Sequence, residues 1–138
     1  TISNFPSITG QYTASNWNVH HTYIGTNYSP ITIAEGISNT TKPFIREDSA
    51  TQWQVLYKVG GVWQILAVTH GLSVGDLYHV AVVYDGTNLK CYVNGVEKGS
   101  ASKTAPSAST STTMYIGKQS QDNNFGYGYK NYSTMALL

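Results

Sequence analysis

The sequence predicts an all-β fold, an antiparallel sandwich of two sheets. Three observations carry that prediction. Short segments alternate apolar and polar residues, the period of a half-buried strand. Clusters of Gly, Asn, Asp and Ser punctuate them. No segment sustains the period of a helix.

Strands are expected at 12–24, 30–35, 43–47, 52–59, 62–69, 78–84, 88–94, 113–117 and 130–138. The strand at 52–59 sets Trp53, Val55 and Tyr57 on one face. It meets the next at Gly60-Gly61, a two-residue hairpin turn. A loop at 70–75 leads into the strongest strand, where Tyr78, Val80, Val82 and Tyr84 share one face. The turn Asp85-Gly86-Thr87-Asn88 follows. Glycine takes positive φ cheaply there, and Asp and Asn bond their own backbone. The strand beyond it turns Leu89, Cys91 and Val93 one way and Lys90, Tyr92 and Asn94 the other, before a second turn at Asn94-Gly95. The Ser-, Ala- and Thr-rich stretch 98–113 reads as a long loop or an edge strand. Val80, Val82, Tyr84, Leu89, Cys91, Val93 and Ile116 form the expected centre of the core.

With 138 residues the chain makes one domain, 1–138, long enough to bury a core. Charged residues are 11% of it, against about 25% in an ordinary soluble protein, so Ser, Thr, Asn, Gln and Gly must supply the polar surface. A formal net charge of +1 argues against electrostatic capture of nucleic acid or an anionic membrane. No apolar run approaches the roughly 20 residues that cross a bilayer, so no membrane insertion is expected. Cys91 stands alone, which excludes an internal disulfide; its place on an apolar face marks it as packing.

The segment HVAVVYDGTNLKCYVNG (79–95), followed by MYIGK (114–118), resembles the laminin-G-like branch of the concanavalin A-like domains. The likeness extends to YTASNWNVHHTYI (12–24), to PFIREDSATQWQVLYKVGGVWQILAV (43–68) and to FGYGYKNYSTMALL (125–138). Tyr78 departs from the pattern, since the family often has Trp there, but an aromatic is kept. The resemblance implies a two-sheet jelly roll. Because such domains usually continue at both ends and no initiator Met is present, a piece of a longer protein is expected.

The resemblance also implies a look for calcium at a sheet rim, held by Asp or Asn side chains and backbone carbonyls. The loop 119–124 offers Asp122 and Asn123. One carboxylate is thin for a cation that takes about six to eight oxygens. No other cofactor is expected. His20-His21 sit next to each other, but neighbours on a strand diverge and no further ligand lies at metal spacing.

Hydrolases of this fold set their carboxylates at alternate positions of one strand, facing a cleft. A glycosidase needs its pair roughly 5 to 9.5 Å apart. The acids here are Glu35, Glu47, Asp48, Asp76, Asp85, Glu97 and Asp122, and none are so spaced. Glu47 and Asp48 are adjacent, so on a strand they point to opposite faces. No enzyme activity is expected.

Aromatics are the strongest remaining signal, with 11 Tyr and 3 Trp. Sugars pack their C–H faces on flat rings and bond their hydroxyls to planar donors and acceptors. Trp53, Tyr57, Tyr92, Asn94, Tyr127 and Tyr129 are the candidate ligand-binding residues. Tyr and Trp also favour strands and subunit interfaces, which gives each a structural alternative.

The expected function is a non-catalytic recognition or adhesion module for glycans or surface polymers, extracellular or on a virion surface. One alternative is a structural module of a phage particle, a capsid decoration or tail fibre, touching other subunits or its own copies as a homo-oligomer. A second is an accessory domain of a polysaccharide-active enzyme. The strand assignment makes one direct prediction. Val82→Asp strands a charge in the core and removes at least about 4 kcal/mol, enough to unfold the domain. A variant that melts like the parent in a thermal scan contradicts the assignment.

Overall fold

A computed structural model describes residues 10–20, 22–23 and 44–106. All regular structure there is strand: β1 (Tyr12–Val19), β2 (Phe44–Glu47), β3 (Gln52–Val59), β4 (Val62–Thr69), β5 (Leu77–Tyr84), β6 (Asn88–Val93) and β7 (Val96–Ser102). They form two antiparallel sheets, ordered β1-β5-β6-β7 and β2-β3-β4. The two-sheet antiparallel sandwich expected from the sequence is therefore the fold. The expected strands at 30–35, 113–117 and 130–138, and core residue Ile116, lie outside the described residues.

Alternation decides what is buried. Tyr78, Val80, Val82 and Tyr84 of β5 face inward, and the last three pair across the sheet with Val93, Cys91 and Leu89 of β6. From the other sheet come Ile45, Trp53, Val55, Tyr57, Leu66 and Val68. Burying such side chains contributes about 25 cal/mol per Å² of apolar area. Cys91 lies within this core, and desolvation pushes its thiol up to about 12, so it acts as a small hydrophobe.

Turn chemistry sets the register. Gly60 and Gly61 have φ of 56° and 83°, and Asn94 and Gly95 have φ of 51° and 78°. Two consecutive positive-φ residues make the two-residue hairpin whose twist matches its strands. Between β5 and β6, Asp85 Oδ1 accepts from the amides of Thr87 (3.0 Å) and Asn88 (2.8 Å), while Oδ2 pairs with Lys90 Nζ at 2.8 Å.

Two boundaries differ from expectation. β1 leaves the regular ladder after Val19 rather than running to residue 24, although His20 still donates to Asp76 O and accepts from the Gly75 amide. The polar stretch after the Asn94-Gly95 turn begins not as a loop but as β7, the edge strand that had been the other option for residues 98–113. Its pairing slips between Cys91 and Tyr92, so Lys98 is the extra residue of a bulge.

Gly99 then passes close to β4. A Cβ there would lie 2.7 Å from Val68 Cγ1. Gly99→Ala should cost about 1–3 kcal/mol by overpacking, while the exposed neighbour Ser100→Ala stays within about 0.5 kcal/mol of the parent. Denaturant melts of the two variants check this, and equal midpoints contradict the close sheet contact.

Candidate binding face and buried histidine pair

Strand β1 has its polarity inverted. Its inward positions after Tyr12 and Ala14 are Asn16 and Asn18, only 6% and 7% exposed. The tryptophan between them, Trp17, faces outward and is 47% exposed. The pairing of Asn16 with Val80 and Asn18 with Tyr78 fixes this arrangement. Buried polar groups and exposed large apolar ones are the informative exceptions on any strand, and here they alternate.

The outward face of β1, β5 and β6 gathers around Trp17. His79 is its register partner, with ring centroids 5.2 Å apart and planes tilted by 51°. Beside His79 the Asn94 turn closes the ladder: Asn94 Oδ1 accepts from the His79 amide and the Asn94 amide donates to His79 O, both at 2.8 Å. Ser15, Ala81, Tyr92 and Glu97 then form one cross-strand row. The Tyr92 hydroxyl donates to Glu97 Oε2 at 3.1 Å, and that bond raises the phenol's pKa. Trp63, on the outer face of the other sheet, differs: the Lys58 ammonium stands over its ring at 4.6 Å.

The candidate ligand residues separate accordingly. Tyr92 and Asn94 do lie together on this outward face. Asn94 Oδ1 is already spent on the backbone ladder. Trp53 and Tyr57 do share one face of β3, but it is the inner one. Both are wholly buried in the core, so neither presents a ring to a ligand. Tyr57 instead anchors the chain after β7, its hydroxyl donating to Thr104 O at 2.6 Å; burial pushes that phenol up to about 12. Tyr127, Tyr129, Asp122 and Asn123 lie outside the described residues. Among the described residues, no group of three His, Cys, Asp or Glu side chains is placed to hold a metal ion.

Sequence reasoning passed over Trp17 and His79. The available signal was the run Asn16-Trp17-Asn18, an aromatic flanked by amides in a strand whose other even positions point inward.

The opposite side of the same strands hides a second cluster. His20, next after β1, and His70, next after β4, bring their ring centroids to 4.7 Å. Trp53 stacks on His70 at 4.6 Å, and Tyr78 lies 5.4 Å from Trp53. Glu47 is buried as well, paired in register with Trp53. The Leu72 amide donates to His70 Nδ1 at 3.1 Å, which selects the neutral ring with its proton on Nε2. Burial and then the neighbouring His20 lower the His70 pKa to about 4; the Ala50 backbone pulls it back up, and Lys98 adds to the fall. Burial first, then Glu47, pushes the Tyr78 phenol well above its ordinary value.

With this geometry in place, the comparison with known families is decisive for the fold family. A laminin-G-type family model, described as the concanavalin A-like lectin/glucanases superfamily, matches residues 1–129. The chain belongs to that superfamily. A search of curated proteins finds no match. A carbohydrate-binding or adhesion module is a role that fits such a domain.

His70 makes stability depend on pH. Its folded pKa lies near 4 and its ordinary value is 6.5, so the unfolded chain binds the extra proton first as pH falls. Stability is then fully present above pH 6.5 and declines toward pH 4, by up to about 1.4 kcal/mol per unit. His20, Trp53 and Lys98 are the neighbours that act on this ring. Urea melts at pH 7.5 and 5 should show a lower midpoint at pH 5, and His70→Asn should flatten the difference. A parent whose midpoint does not move contradicts the buried neutral ring.

Proposed function

We propose that this domain is a non-catalytic recognition and adhesion module, displayed outside a cell or on a virion, that binds glycans or surface polymers on the outward face of β1, β5 and β6. The exposure of Trp17 between two buried asparagines carries the reading. Leaving a large ring in water forgoes roughly 2 kcal/mol of burial, so the domain tolerates a cost that a ligand would offset. A flat indole beside an imidazole and a phenol suits the C–H face of a sugar ring. Serine, carboxylate and phenol groups in the next row suit its hydroxyls.

Binding on this face needs no cofactor. Glu47 supports the non-catalytic reading: it lies buried on the inner face of β2, whereas the Trp17 ring is on the outside of the other sheet. A structural role in an assembly is the second reading, favoured by Leu77, which is 64% exposed at the Val19 end of the same face.

A glycan array with the parent and Trp17→Ala separates the two. The proposal expects glycan binding that drops at least about tenfold in Trp17→Ala, with an unchanged melting temperature because the ring is exposed. Binding that survives the substitution overturns the site. A parent that binds no sugar yet forms stable oligomers, which Trp17→Ala dissociates, favours the assembly.

A further inference from the structure

Resting on that reading, the ring positions and charges of the face specify the ligand more closely. Trp17 stands on β1 and Tyr92 on β6, with β5 between them. Their rows are one pair apart: Trp17 pairs with His79, while Tyr92 pairs with Ala81. Two strand spacings of about 4.8 Å and a step of about 6.8 Å along the strand separate their backbones by roughly 12 Å. A single sugar ring covers one aromatic and falls short of the other. On β5 between them stand His79, beside Trp17, and the small Ala81, beside Tyr92. His79 extends the Trp17 end and Glu97 supplies an acceptor at the Tyr92 end.

Charge narrows the choice further. Among the described outward positions of β1, β5 and β6, Lys90 is the one cation, and Asp85 already holds it at 2.8 Å. The carboxylate of Glu97 faces the same surface through Tyr92. A sulfated or carboxylated polymer would meet no uncommitted cation at these positions, and beside them the Glu97 carboxylate of β7, an arrangement that discriminates against anions. We propose that the face takes a neutral glycan chain of at least two sugar rings, laid diagonally across β1, β5 and β6, and rejects anionic polysaccharides.

Titration calorimetry with cello-, manno- and xylo-oligosaccharides of one to six rings, with heparin and polygalacturonate as anionic probes, tests this. The expected result is a Kd for at least one neutral series that falls about tenfold or more between one ring and three, then levels off. Tyr92→Ala should abolish that gain while leaving the weak single-ring binding. Heparin and polygalacturonate should bind at least about tenfold more weakly than the best neutral chain, and Glu97→Lys should narrow that gap. A single ring that binds as tightly as the longer chains overturns the two-ring inference but leaves the glycan module standing. Preference of the parent for heparin overturns the charge argument. Failure of every probe, neutral and anionic, overturns this inference and the glycan reading together.

Discussion

The pairing register of β1 against β5 is the constraint on which the rest depends. A strand's side chains alternate, so a slip of one residue would move its whole inward set outside. Apolarity at the centre of β1 alone would favour that slip, since it would exchange Asn16 and Asn18 for Trp17 and Val19. Neighbouring positions of the same parity hold it. Tyr12 stacks on Tyr84 with centroids 6.2 Å apart, Ala14 packs against the core, and His20 is buried beside His70, Trp53 and Tyr78. Between them the Asn16 amide donates to Asn18 Oδ1 at 3.3 Å, and Asn18 lies beside the Tyr78 hydroxyl. That bond leaves Asn18 Nδ2 without a hydrogen-bond partner, a cost that the flanking aromatic contacts must offset.

That register links stability to function. The residues that lock β1 are an aromatic pair at one end of the sandwich and a histidine-aromatic cluster at the other. The residue they force outward is the indole of the candidate binding face. The face therefore stands on a rigid, centrally paired strand, β5, rather than on a loop, which suits a surface that must present rings at fixed spacing. It also explains why acid should weaken the fold from within: the anchoring end holds His70, an imidazole buried neutral.

Much of the fold was readable in the residues. Period-two alternation at 78–84 and 88–94 placed Val80, Val82, Tyr84, Leu89, Cys91 and Val93 inside, and the Gly60-Gly61 and Asn94-Gly95 pairs located two hairpins. The candidate site was less so, for a physical reason. Alternation says which residues share a face but not which face is inner. Trp53 and Tyr57 share a face, as the alternation says, but it is the buried one, which the sequence leaves open because the apolar character of β3 runs through both faces, Leu56 being buried as well. The His20–His70 contact joins residues from different sheets, and only the stacking of the two sheets brings them together. Edge strand β7, with its glycine and its bulge, has weak strand propensity and forms because β6 offers it a partner and Gly99 lets it approach β4.

The register of β1 can be measured directly. Cys91 is buried with a raised thiol pKa and should stay silent to a charged thiol reagent at neutral pH. Trp17→Cys and Asn18→Cys then each add one reporter on adjacent, opposed positions. With the pairing described, the thiol at position 17 labels rapidly in the folded protein and the thiol at position 18 reacts only on unfolding. Rapid labelling at 18 with protection at 17 would contradict the register, and with it the outward tryptophan on which the binding face is built.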